Sequence, residues 1–203
     1  MYLPRRMTAV ARIRIFIAVA ALLAVTGSAL AQTPESAPRD NVRRIEKFAH
    51  AAAFLNLAQG TVRMVAILPA DESTSLAMMD TIAAVVRANP SKRLRAYIIL
   101  DGEIDSGTPL RAALIAGRAG DTRIVCFWDP NGTVARVWGP GDAGCVRIYD
   151  TAAKFGDPLP PPALEVRAAE GRLDGAALRA SSSDLVQRVE AKMGRLAEGQ
   201  EPR

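Results

Sequence analysis

Few side chains in this chain of 203 residues could carry covalent or redox chemistry. Two cysteines, Cys126 and Cys145, can form either a structural disulfide or a redox couple. Eighteen residues separate them, unlike the close spacing of redox dithiols. Cys126 also sits in an apolar run that reads as a buried strand, where burial raises a thiol pKa and leaves it inert. His50 is the only histidine, so no His/Cys cluster for zinc or copper exists, and no pattern for an organic cofactor is present. The spacing places His50 one helical turn from Glu46 on a polar face, as a solvated pair. Asp101, Glu103 and Asp105 share one loop, which suits either a cation or a plain solvated loop. The segment Asp71-Glu72-Ser73-Thr74-Ser75 opens a helix, but a serine there needs a neighbouring base to act as a nucleophile.

The elements that would position these residues follow from hydrophobic periodicity. Asp40 can cap a helix with Val42, Ile45, Phe48, Ala52 and Leu55 on one face, ended by Gly60. Val62–Leu68 is almost continuously apolar, as in a central strand covered on both faces, and Pro69 stops it. Asp71 or Ser73 caps a broad apolar helix running to Ala88, in which Met78 and Met79 fill core rather than bind metal. Asn89-Pro90 ends it, with Asn89 suited to the left-handed conformation. Leu94–Leu100 is a second parallel strand, and Thr108-Pro109 starts a second helix. Asp129-Pro130-Asn131-Gly132 has the residue order of a type I turn and predicts a hairpin over Arg123–Trp138. Val146, Ile148 and Phe155 then form a third antiparallel edge. Gly156–Pro162 is a stiff proline-rich stretch. Leu164 and Val166 suit a short strand, and Ser181–Asp184 caps a last amphipathic helix with Leu185, Val189, Met193 and Leu196.

The N-terminus carries an address. Arg5, Arg6, Arg12 and Arg14 precede an apolar run, Ile15–Val25, too short for a membrane span. Ala29-Leu30-Ala31 supplies a small-residue cleavage pattern before Gln32, so residues 1–31 read as a cleaved secretory signal. The whole chain has 26 basic and 21 acidic residues. Without the four signal arginines the balance is 22 to 21, a net of +1, which gives no electrostatic case for nucleic-acid binding.

The stretch Val62–Trp138 resembles thioredoxin-like domains, through the strand ending in Leu68-Pro69, the helix opening after it, and Trp128-Asp129-Pro130-Asn131-Gly132. Asn89-Pro90-Ser91-Lys92-Arg93-Leu94-Arg95-Ala96-Tyr97 and Phe127-Trp128-Asp129-Pro130 look like a group of bacterial thioredoxin-like proteins. The resemblance implies a three-layer α/β sandwich with a mixed sheet, flanking helices and an N-terminal helix. It places the redox loop at Asp71, Glu72, Ser73 and Thr74, where no cysteine stands. It places the family's cis-proline near Thr122-Arg123, where no proline stands.

Residues 32–39 read as a disordered lead-in, 40–155 as the thioredoxin-like domain, 156–180 as a proline-rich linker with an irregular segment, and 181–198 as the C-terminal helix. The functional expectation is a periplasmic or secreted module that binds an envelope protein or peptide without redox catalysis. After signal removal it has no stable membrane span. Two alternatives stand beside it: an oxidoreductase using Cys126 and Cys145, and an assembly protein associating through its last helix. For the cysteines two arrangements remain open, a structural bridge within a meander, or a buried Cys126 with Cys145 in a loop.

Overall fold

The computed structural model describes residues 42–69, 71–102, 108–139 and 144–197. The expected signal (1–31), lead-in (32–39) and loop acids Glu103 and Asp105 lie outside the described residues. The elements run β1 (Val42–Arg44), α1 (Phe48–Leu57), β2 (Val62–Leu68), α2 (Glu72–Ala88), β3 (Leu94–Asp101) and α3 (Thr108–Gly117). They continue β4 (Ile124–Asp129), α4 (Thr133–Trp138), β5 (Cys145–Tyr149), β6 (Leu164–Arg167) and α5 (Gly175–Ala197).

The strands form one six-stranded sheet in the order β1-β4-β3-β2-β5-β6. β1, β4, β3 and β2 are parallel, whereas β5 and β6 run antiparallel to β2 and to each other. All seven residues of β2 are buried, as an apolar run covered on both faces should be. Met64, Ala66, Ile98, Cys126 and Val146 point to the face covered by α2, α3 and α5. Val65, Ile67, Tyr97, Phe127 and Tyr149 point to the face covered by α1, α4 and Phe155. The three layers of the α/β sandwich are therefore present, with a mixed sheet in the middle.

Several local expectations are corrected. Val42–Arg44 is a strand on the edge of β4, and the first helix starts only at Phe48. Glu46 precedes that helix, so it does not share a helical turn with His50; both are exposed, His50 being solvated as expected. The Arg123–Trp138 hairpin does not form. The Asp129–Gly132 turn exists, with Gly132 N–H donating to Asp129 O at 3.2 Å, but it leads into α4. The buried Asp129 carboxylate accepts from Thr133 N at 2.9 Å and Val134 N at 2.6 Å, which makes it a helix cap. Val134 and Trp138, four apart, then bury on one helical face. β4 is thus a fourth parallel strand, and the antiparallel pair comes one unit later as β5 and β6.

β5 is not an edge either, since it lies between β2 and β6, and Phe155 packs on Tyr149 instead of joining the strand. Asn89 is extended (φ −101°, ψ 111°), because Pro90 excludes helical and crowded conformations before it. Leu164–Arg167 belongs to the sheet, and α5 begins at Gly175, before the expected Ser181. Asp174 Oδ1 accepts from Ala176 N and Ala177 N and supplies the cap that the serines were expected to give.

Candidate functional site

The candidate loop sits where β2 gives way to α2, at the end of the sheet where the parallel strands finish. Ser75, fully buried, donates its Oγ proton to Pro69 O at 2.5 Å and ties the helix to the strand end. Asp71 is extended and caps α2, its Oδ2 accepting from Thr74 N at 2.7 Å. Ser73 Oγ donates to the same Oδ2 at 3.0 Å. These bonds from Thr74 and Ser73 hold the Asp71 carboxyl below the usual range. Glu72 pairs with Arg111 of α3 at 3.2 Å. Asp71, Glu72, Ser73 and Thr74 are thus brought together, and each polar group is engaged by the chain itself.

The loop is covered at Thr74, while Asp71 and Ser73 are exposed. Ala169 and Arg172 pair across a tight turn whose central residues, Glu170 and Gly171, both have positive φ (51° and 74°). A Cβ on Gly171 would lie 3.2 Å from Thr74 Cγ2, so the turn is seated on Thr74. His50 stands on α1, on the opposite face of the sheet from α2, and gives Ser73 no base.

Two carboxylates end the neighbouring strands, Asp101 on β3 and Asp129 opposite it on β4. Burial, followed by the charge of Asp129, raises the Asp101 pKa. Asp129 is committed to the α4 cap, and Gly132 passes close enough that a Cβ there would meet Asp101 Oδ1 at 3.3 Å. Among the described residues no group of three or more His, Cys, Asp or Glu is placed to hold a metal, and no helix is long and apolar enough to cross a membrane.

Of the two arrangements left open for the cysteines, the bridge is absent. Of the other only the buried Cys126 holds, because Cys145 begins β5 and is buried too. Cys126 of β4 and Cys145 of β5 are both buried and neither is in a disulfide. β3 and β2 separate their strands, so three inter-strand spacings, about 14 Å, lie between them. Cys126 aligns with Ile98 and through it with Ala66, whereas Cys145 aligns with Ile67, so the two thiols point to opposite faces. A bridge needs Cα atoms within about 7 Å. The meander expected from the sequence failed because it placed both cysteines in neighbouring strands. Burial pushes the Cys126 thiol up to about 12, far from a reactive thiolate.

The layout is thioredoxin-like. A parallel β-α-β unit, an antiparallel pair alongside β2 and a closing helix carry it. With the antiparallel pair now at β5 and β6, the family's cis-proline place moves from Thr122-Arg123 to the residues before Cys145. Gly144 stands there with φ +88°, its N–H donating to Ile67 O and its carbonyl accepting from Ala168 N, both at 2.8 Å. No family model and no curated protein matches the chain. Among solved structures it is similar to a secreted Mycobacterium tuberculosis disulfide oxidoreductase, described as homologous to E. coli DsbE. That likeness has 12% identity and a TM-score of 0.47, and it covers 64% of this chain and 85% of the other. A likeness of that depth carries nothing about the reaction of this chain.

Sequence reasoning missed two features of the site. The first is the cap by Asp129, whose signal was the i, i+4 spacing of Val134 and Trp138. The second is the turn over Thr74, signalled only by Glu170-Gly171.

Proposed function

We propose that the mature chain is an exported binding module of the cell envelope, built on a thioredoxin-like sheet and without dithiol catalysis. One observation carries this reading: the start of α2, where such a domain would present its nucleophile, holds an aspartate cap with hydroxyls bonded to it. A serine whose proton goes to a capping carboxylate and which has no neighbouring imidazole is a poor nucleophile. The cysteines offer no substitute, since both are buried and on opposite faces. The turn over Thr74 fills part of the groove, which leaves the half-exposed Glu72–Arg111 rim as the surface for a protein or peptide partner. The basic and apolar N-terminal residues with Ala29-Leu30-Ala31 support export, with cleavage between Ala31 and Gln32.

A photo-crosslinking side chain placed at Glu72 in envelope preparations tests the reading. It should yield a discrete adduct that Arg111→Glu abolishes. Adducts equally strong from a probe on an unrelated exposed site such as Lys154 would overturn it.

A second reading, association through α5, is favoured by its last turns. Residues 191–197 are all exposed, and they include Met193 and Leu196 at 45% and 48% exposure. If those side chains drive self-association, Met193→Glu with Leu196→Glu should convert a larger species to monomer on sizing. A monomer before and after substitution removes that reading.

A further inference from the structure

The end of the sheet where β3 and β4 begin carries an open cleft of about 370 Å3. Arg43 of β1, Phe54 and Leu57 of α1, and Arg95 and Tyr97 of β3 form its walls. The volume falls in the range of small-molecule sites, roughly 300–1,000 Å3. No Asp or Glu lines it.

Both arginines lack a carboxylate partner among the described residues, whereas Arg111, Arg123, Arg147 and Arg188 each have one. The Arg43 guanidinium lies 4.5 Å from the centroid of the Phe54 ring. Arg95 stands beside the Tyr97 phenol, where its charge opposes the rise in pKa that burial causes. Leu57, 81% exposed, is the most exposed large apolar side chain among the described residues and stands at this cleft.

The C-terminus of α1 also faces this end, and its free carbonyls would repel an anion. Part of that end is engaged: Asn56 O accepts from Gln59 N, and three further carbonyls, one in the helix and two just after it, accept from side chains. Leu55 O accepts from Arg63 Nη1, Ala58 O from Thr61 Oγ1, and Gly60 O from Arg93 Nη1. Two full positive charges therefore outweigh the partial negative charge of a helix end that is in part hydrogen-bonded.

We propose that this cleft binds a small organic anion with a flat apolar body. Arg43 and Arg95 take its carboxylate or sulfonate, and Phe54, Leu57 and Tyr97 hold the body by ring and apolar contact. The proposal does not depend on the partner rim at Glu72, and its test reads a different end of the sheet.

The test is calorimetric titration of the full mature chain with 2-naphthoate and, separately, with the neutral 2-naphthalenemethanol. Saturable one-to-one binding of the acid is expected, with the alcohol about tenfold weaker or worse. Arg43→Gln and Arg95→Gln should each weaken the acid by about tenfold, the magnitude of one lost charge-assisted contact. The thermal midpoint reports that both variants remain folded, and Arg188→Gln, at an exposed arginine paired with Asp184 far from the cleft, should leave binding unchanged. Equal affinity for acid and alcohol, no response to either cleft variant, or saturable binding only of an acidic peptide such as hexaglutamate overturns the proposal.

Discussion

At the end of the sheet where β2, β3 and β4 finish, polar side chains are turned on the chain itself. Asp71 caps α2, Asp129 caps α4, Glu72 meets Arg111, and a reverse turn rests on Thr74. At the opposite end, Arg43 and Arg95 face an open cleft beside exposed Leu57. The residue types at the first end suggest chemistry more strongly than those at the second. The difference lies in where the charges go. Asp71 and Asp129 at the first end are held by backbone N–H groups of the chain. Among the described residues Arg43 and Arg95 meet only aromatic side chains and no carboxylate, which leaves their charge for an anion.

Two arginines at the open end give the largest test of that contrast. Arg63 is fully buried and donates to Leu55 O at 3.0 Å, Asp150 O at 2.6 Å and Ala153 O at 2.8 Å, with its guanidinium over the Phe155 ring. Arg63→Leu leaves these carbonyls without a donor and should cost about 3–4 kcal/mol in urea unfolding. Arg95→Leu, at an exposed position, should change stability by no more than about 0.5 kcal/mol. Similar losses from both would erase the distinction between a structural and an available guanidinium.

The closed end is tested next by Gly171→Val. The new side chain meets Thr74 at 3.2 Å and must adopt φ +74°, so a loss of about 2 kcal/mol is expected. In the Thr74→Ala background part of that loss should vanish, because Cγ2 and Oγ1 are gone while the backbone strain remains. Additive effects would mean that the turn and the loop are not in contact.

The smallest effects are in pH dependence, and the two acids at the closed end have opposite signs. The Asp71 pKa is lowered, so its contribution is complete above its ordinary value of 3.8 and is lost as pH falls through the lowered value. Asp71→Asn should therefore lower the thermal midpoint near neutrality and flatten its decline in acid. The Asp101 pKa is raised, so its ionisation opposes folding: stability is fully present below 3.8 and declines as pH rises through the raised value. Asp101→Asn should raise stability at pH 7 by less than about 1 kcal/mol, given its partial exposure, and have no effect in strong acid. A gain from Asp71→Asn at neutral pH would contradict the cap.

How far the sequence revealed this molecule follows from the range of each interaction. β2, α2 and β3 were legible because a seven-residue apolar run, a wide helical arc and Asn89-Pro90 are local signals. The cap at Asp71 was legible for the same reason. Val42–Arg44 was misread because its strand character depends on the edge of β4, over eighty residues away. Asp129-Pro130-Asn131-Gly132 was misread because a turn motif does not say whether strand or helix follows; Asp129, buried at the strand end, decides that. The separation of Cys126 and Cys145 depends on the order of four strands, which no spacing in the sequence encodes. The cleft between Arg43, Phe54 and Arg95 joins three elements and left no local motif.

The central claim, that the thioredoxin-like sheet here binds without exchanging dithiols, is tested most directly by insulin reduction with the mature chain under excess reductant. Turnover equal to the protein-free blank is expected, unchanged by prior alkylation of the native protein, because neither buried thiol is presented at the start of α2. Turnover above the blank that alkylation abolishes would show Cys126 or Cys145 reaching substrate and would contradict the account.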